Sequence, residues 1–290
     1  LFKKGAAILC ATDCDMARLH SKDPNYVRCD IGEYRQLSRV FDDLGPFDYV
    51  YNCAAEFGRW NGEDYYENLW KTNAIGTKNI IRLQEKYDFK LIHFSSSEVY
   101  GDYPNIMIES VMDDYEIKQL NDYAMSKWVN EMQIRNSILQ FGTKTVVVRI
   151  FNTYGPGEFY SPYRSVNCRF LYCALKGLNW TVFKGHSRTS TYLQDTVNTL
   201  SNIAENFKSG ETYNIGGKDL HTIEELSEII LEVTNADPKL VSYKDSEVLT
   251  TKTKVVDISK SIKDLKHSNT VGLKEGIKIT ADWMKSVYGL

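Results

Sequence analysis

The chain has 290 residues, 42% of them hydrophobic and 25% charged, with 18 Gly and only 6 Pro. At about 150 residues per domain this predicts roughly two globular domains and excludes a disordered or fibrous chain. Lys and Arg number 35 against 38 Asp and Glu, a formal net charge of −3 without a block of like charge, so no nucleic-acid or anionic-membrane partner is expected. The longest apolar runs, such as 6–11 and 145–151, fall far short of the ~20 residues of a membrane helix.

Residues 6–12 (AAILCAT) form a short apolar run closed by Asp13, read as a strand, and 35–44 has the apolar spacing of a helix. The alternation continues with a strand at 49–53, a long helical region at 64–87, a strand at 91–95, a helix at 122–141 and a strand at 145–150. Strands alternating with helices predict a parallel sheet covered on both faces. After Gly155-Pro156-Gly157 the rhythm changes to a polar, aromatic stretch, which marks a domain boundary ahead of a helix at 166–176. Further helices are predicted at 193–206, 222–234 and 272–287, and Thr222 with Glu225 has the spacing of a capping box.

Six cysteines, at 10, 14, 29, 53, 168 and 173, include no CxxC pair and no His at ligand spacing. They read as reduced thiols of a cytoplasmic protein without a structural metal.

Two segments carry chemistry. In NDYAMSKWVNE, Tyr123 and Lys127 stand four residues apart on one face of the predicted helix. An ammonium near a phenol favours the phenolate and makes the tyrosine a usable general base. Ser95-Ser96-Ser97-Glu98-Val99-Tyr100-Gly101 follows directly on the apolar run LIHF, and ligands of open parallel sheets bind at the carboxyl ends of strands. A self-satisfied polar turn is the bland alternative.

With these pieces the sequence resembles the extended short-chain dehydrogenase/reductases, and within them the nucleotide-sugar epimerases and dehydratases. The resemblance runs over nearly the whole chain through Asp13, Cys29-Asp30-Ile31, NCAAE at 52–56, NAIGTKN at 73–79, SSSEVYG, YAMSK, RIFNTYGPG at 149–157, RTSTYLQD at 188–195 and YNIGG at 213–217. It implies an α/β fold: a doubly wound, Rossmann-like parallel sheet over 1–151 and about 187–212, with a smaller, mainly C-terminal α/β substrate domain over 152–186 and 213–290. The family's glycine-rich GxxGxxG loop is absent, and residues 1–5 align with the end of the helix that follows it. The first strand and loop are therefore expected to be cut off, with loss of dinucleotide binding as the alternative.

The resemblance further implies NAD as cofactor. Asp13 would bind the adenosine ribose, Asp30 and Ile31 would flank the adenine, and Ala54 and Ala55 would let the cofactor pass close to the backbone. Asn73 and Ser95 would join them, with Tyr123 and Lys127 at the nicotinamide ribose. Ser96 would hydrogen-bond the reacting sugar hydroxyl, Tyr123 would remove its proton and Lys127 would lower the tyrosine pKa. Glu56, Asn152, Arg164, Asn167 and Arg188 would contact a nucleotide-sugar substrate, Arg188 at its diphosphate.

Glu98 stands where the family's 4,6-dehydratases place an acid/base carboxylate. The expected reaction is therefore C4 oxidation, C5 proton abstraction, water loss at C6 and hydride return, in an NDP-hexose 4,6-dehydratase of cell-surface polysaccharide metabolism. Ser97 replaces the Asp usual in the dTDP-glucose branch, so Glu98 would serve both acid and base roles or recruit a water. A 4-epimerase is the alternative, then a UDP-glucuronate decarboxylase using Arg59 or Arg164 to hold the sugar carboxylate, and, of another class, a non-catalytic nucleotide-binding sensor. Family members pair through two helices per subunit, so a homodimer through 64–87 and 122–141 is expected.

Overall fold

The computed structural model describes residues 11–13, 25–245 and 247–290, the first three as backbone. Residues 6–10 of the expected first strand, Cys10, Cys14 and the side chain of Asp13 lie outside the described residues.

Among the described residues, four parallel strands form the central sheet in the order Thr212–Ile215, Lys144–Ile150, Lys90–Ser96 and Tyr49–Asn52. A second parallel pair joins Ala11–Asp13 to Tyr26–Arg28. Leu91, Ile92, Val146, Val147 and Val148 are all buried, as a parallel sheet covered on both faces requires. On one side Leu37, Val40 and Phe41 of the helix Tyr34–Leu44 pack with Ile80, Leu83 and Leu91. Ile92, Val146 and Val148 instead meet Ile203, Tyr213 and Leu265.

Each helix and strand predicted over the described residues is present, with ends shifted by a few residues. The region 64–87 is the exception: it is split into helices Tyr66–Trp70 and Thr77–Tyr87 by a π-helical segment Lys71–Gly76, preceded by a separate helix Arg59–Asp64. A π-bulge of this kind re-aims side chains within a helix, commonly at functional sites. Short pieces without a long period, among them Trp180–Phe183, Ser187–Thr189, Val241–Lys244 and Ser259–Leu265, were not legible in sequence.

A separate apolar cluster builds the C-terminal half, with Phe170, Leu171, Trp180, Val182, Leu226, Ile230, Ile277 and Met284 at its centre. The boundary expected at 212/213 needs correction. Thr212–Ile215 pairs with Val147–Ile150 inside the main sheet, and Leu265 of the helix Ser259–Leu265 packs on that strand. The YNIGG segment is thus sheet edge first and loop afterwards.

The capping box is formed: Glu225 N–H donates to Thr222 Oγ1 at 3.0 Å and Thr222 N–H to Glu225 Oε2 at 2.7 Å. Thr222→Ala is expected to cost about 1 kcal/mol of stability, read from the urea midpoint. No described helix is long and apolar enough to cross a membrane.

Candidate active site

The site lies at the carboxyl edge of the sheet, where Lys90–Ser96 runs into the 3-10 turn Ser97–Tyr100. Successive strand residues point to opposite faces, and this separates Ser95 from Ser96. Ser95 Oγ donates to Glu131 Oε1 at 2.5 Å beneath the sheet. Ser96 Oγ accepts the Glu98 N–H at 3.2 Å, which caps the turn, and also meets the Tyr123 phenol.

Tyr123 and Lys127 share a face of the helix Asp122–Phe141, whose start is capped by Asn121 Oδ1 accepting from Ala124 N–H at 2.8 Å. Lys127 Nζ, buried, donates to the Phe94 carbonyl at 2.8 Å and lies 5.9 Å from the Tyr123 ring centre. The expected depression of the tyrosine pKa is absent from the cofactor-free chain. Burial pushes Tyr123 up to about 12, the Ser96 hydrogen bond opposes this, and the Glu98 charge adds to it. Lys127 is pushed down to about 8 by burial, against Cys53 and Glu131, which pull it up.

Glu98 is ion-paired with Lys254, whose ammonium also lies 3.4 Å from Ser97 Oγ. Burial raises the Glu98 pKa, but Lys254, then Arg59 and Arg188, outweigh it and hold the carboxyl down to about 2. One carboxylate thus stands among three cations. Lys254, 156 residues distant in the chain, is the residue at this site that sequence reasoning missed. No local pattern flags it, because only the crossing of the 247–254 segment over the site brings it there.

That segment is tied down by Arg188, expected on substrate, by Arg59, expected there only in a decarboxylase, and by Asn121, which carried no expected role. Arg59 pairs with Glu247 at 3.1 Å and donates to the Val248 carbonyl at 3.1 Å. Asn121 Nδ2 donates to the Leu249 carbonyl at 3.0 Å. Arg188 donates to Thr250 Oγ1 at 2.9 Å and to the Lys252 carbonyl at 3.0 Å. Arg188, expected on a diphosphate, is therefore engaged by the chain itself, next to Glu98.

Lys254→Met is expected to destabilise the protein less and less, relative to the parent, as pH falls from about 4.5 towards 2. A carboxylate with a depressed pKa contributes stability that is present above its unfolded value and is lost as pH falls through the folded one. The Glu98 contribution at stake is on the order of 3 kcal/mol. The desolvation of Lys254, which is itself pushed down to about 8 by burial, is constant below that pH and drops out of the dependence. Urea midpoints of both proteins across that window measure the effect.

Of the residues expected around the cofactor, several turn their side chains elsewhere. Ile31 is buried in the core under Gly76, because the strand end folds into the helix layer. Asn73, at the π segment, clamps the loop instead: its Oδ1 accepts the Glu56 N–H at 2.9 Å, and its Nδ2 donates to the Glu56 carbonyl at 3.0 Å and to Ser126 Oγ at 2.9 Å. Asp30 accepts the Gly32 N–H at 2.8 Å and lies 3.7 Å from Lys71 Nζ. Asp13 ends the strand Ala11–Asp13, in register with Arg28 of the strand that precedes Asp30.

The loop so clamped exposes Cys53 and Ala54 at the end of a buried sheet, with Ala55 beside them half-exposed. A floor of small side chains at a strand's carboxyl end leaves backbone open to a dinucleotide, so the residues present fit NAD.

On the substrate side, Asn152 is half-buried in the left-handed region at φ 26. Glu56 accepts from Asn61 Nδ2 at 2.9 Å. Arg164 stacks over Phe57 at 4.1 Å, and its Nε is buried and unpartnered. Asn167 Oδ1, Thr189 Oγ1 and Thr191 Oγ1 are also buried without a partner. Unsatisfied buried polar atoms are rare in proteins.

A sheet whose carboxyl edge gathers Ser96, Tyr123, Lys127 and Glu98 beside a loop open to a dinucleotide has the layout of a Rossmann-like, dinucleotide-dependent enzyme. The profile of the NAD dependent epimerase/dehydratase family matches residues 3–216, and the chain belongs to that family. NAD is the family's cofactor, and its members include nucleotide-sugar epimerases, dehydratases and decarboxylases.

A UDP-N-acetyl-alpha-D-glucosaminuronate decarboxylase of Bacillus cytotoxicus is 29% identical over 84% of this chain and 78% of its own. A dTDP-glucose 4,6-dehydratase of Salmonella typhimurium is 25% identical over 89% and 78%. The crystal structure of UDP-glucuronic acid 4-epimerase from Bacillus cereus, in complex with UDP-glucuronic acid and NAD, superposes with a TM-score of 0.81 at 25% identity, over 92% of this chain and 84% of that one.

Proposed function

We propose that the protein is an NAD-dependent NDP-hexose 4,6-dehydratase. The observation that carries this reading is Glu98, an ionised carboxylate beside the Ser96–Tyr123 pair, held in its basic form by Lys254. A 4-epimerase, which only moves a hydride off and back, has no need of a base there.

Asp30, Ala54, Ala55, Tyr123 and Lys127 would hold NAD, with Asp13 at the ribose. When bound, NAD accepts the C4 hydride and returns it. Ser96 orients the C4 hydroxyl and Tyr123 takes its proton. The C4 ketone makes the C5 proton acidic, and Glu98 removes it. The C6 hydroxyl then leaves as water with a proton from Glu98, now protonated, or from the Lys254 ammonium; as the hydride goes back to C6 the other donor protonates C5, and the proton held by Tyr123 restores that donor through solvent. Asn152 and Asn167 would line the diphosphate and its approach, and Arg188 would stay beside Glu98.

A decarboxylase is the second reading, favoured by the cations Arg59, Arg188 and Lys254 around a single catalytic carboxylate, which suit a sugar carboxylate. The experiment that separates these is incubation of the enzyme and NAD with dTDP-glucose, UDP-glucose, GDP-mannose and UDP-glucuronate, followed by product mass. Loss of water supports the dehydratase, loss of carbon dioxide the decarboxylase, and an isomer of unchanged mass the epimerase. Met125, Met132 and Leu139, exposed at heptad spacing on one helix, support a homodimer, which light scattering reads directly.

A further inference from the structure

We infer that the buried Glu131–Arg149 pair is a positioning device for C4 oxidation, which fixes Ser96, the Glu98 turn and the Tyr123–Lys127 helix relative to one another. The inference rests on the reading of Tyr123 as the C4 base and holds whichever reaction follows.

Glu131 lies one and two helical repeats beyond Lys127 and Tyr123, at i+4 and i+8, on the same face of the helix Asp122–Phe141. Its carboxylate receives Arg149 twice, from Nε at 3.0 Å and from the NH2 nitrogen at 2.7 Å, with both side chains at or below 1% exposure. Glu131 Oε1 also accepts from Ser95, the residue before Ser96. Through its NH1 nitrogen Arg149 donates to Tyr100 Oη at 2.9 Å, at the end of the Glu98 turn, and to the Glu109 carbonyl at 3.0 Å. Tyr100 in turn donates to Asn214 Oδ1 at 2.7 Å, on the adjacent strand. One ion pair therefore ties together the strand, the turn and the helix that present the reacting side chains.

Stability alone does not account for such a pair. A buried ion pair is commonly no more stabilising than well-packed apolar residues of similar volume, whereas removing one member is costly. What its fixed, two-pronged geometry provides is direction, and catalysis is sensitive to displacements on the order of 1 Å.

Glu131 also has an electrostatic reach. The titratable groups around Lys127 are Tyr123, Cys53, His93 and Glu131. Among them Glu131, on the ammonium's own helix, is the carboxylate that favours its charged form. Lys127 is protonated below about 8, so the alkaline limb of kcat/KM reports its loss of charge.

The test uses the enzyme with NAD and the sugar nucleotide of the panel that it turns over. Glu131→Gln keeps the acceptor for Ser95 but removes the charge. It is expected to lower kcat by about tenfold to a hundredfold with KM within about twofold, and to move the alkaline limb to lower pH. Arg149→Lys keeps the charge and loses the fork, so kcat is expected to fall with the limb in place. Glu131→Leu with Arg149→Met keeps the volume; it is expected to melt close to the parent yet turn over no faster than Glu131→Gln.

A double variant that turns over like the parent overturns the inference, as does a Glu131→Gln enzyme with unchanged kcat and limb. If Glu131→Gln does not fold, the double variant decides. Tyr123→Phe is run alongside: parent-like turnover there sinks the base assignment itself, whereas an inactive Tyr123→Phe beside a parent-like double variant sinks only the positioning role.

Discussion

Glu98→Gln is expected to abolish release of the dehydrated product while C4 oxidation continues, so that NADH absorbance accumulates instead of cycling. Glutamine preserves the volume and one acceptor oxygen, but it cannot take the C5 proton. General acid–base groups contribute about 10²- to 10⁴-fold, and loss of turnover in that range is expected. The parent carboxylate is ionised across the working range because burial, which raises its pKa, is outweighed by Lys254, Arg59 and Arg188. The substitution also leaves the Lys254 ammonium, 1% exposed, without its counter-charge, so a lowered melting temperature accompanies the effect. Turnover retained at the parent rate, with an isomer as product, would make the enzyme a 4-epimerase and Glu98 a partner of Lys254 alone.

Tyr123→Phe is expected to lose about 10²- to 10⁴-fold in turnover of every sugar nucleotide accepted, with NAD binding kept, because the aromatic ring is retained and only the hydroxyl that meets Ser96 is removed. Its titration gives an independent reading. Without cofactor the phenol is expected to ionise at about 12, since burial dominates its environment and Lys127 is held by the Phe94 carbonyl. Adding oxidised NAD, which brings a positive ring, is expected to shift the tyrosinate absorbance to lower pH. An unchanged titration curve would show that the activating charge does not come from the cofactor.

Much of the site was legible because its chemistry is local in sequence. The four-residue spacing of Tyr123 and Lys127 is a property of one helix, and Ser96 to Glu98 follows one apolar strand, so periodicity placed both. The capping pair Thr222 and Glu225 was readable for the same reason. Roles that depend on side-chain direction were less accessible. Ser95 and Ser96 are adjacent, yet strand alternation sends one to Glu131 and the other to the site. Asn73 was expected to contact cofactor, but the π segment aims it at the Glu56 backbone.

The order of strands and helices along the chain, the buried sheet and the placing of Tyr123 with Lys127 on one helix face were determined by the sequence itself, because periodicity and residue chemistry act within a few residues. Only the tertiary structure decided the protonation states, the placement of Thr212–Ile215 in the main sheet and the arrival of Lys254 at Glu98. Burial and Coulomb fields depend on which distant segments meet, and those meetings are set by the packing of the whole chain.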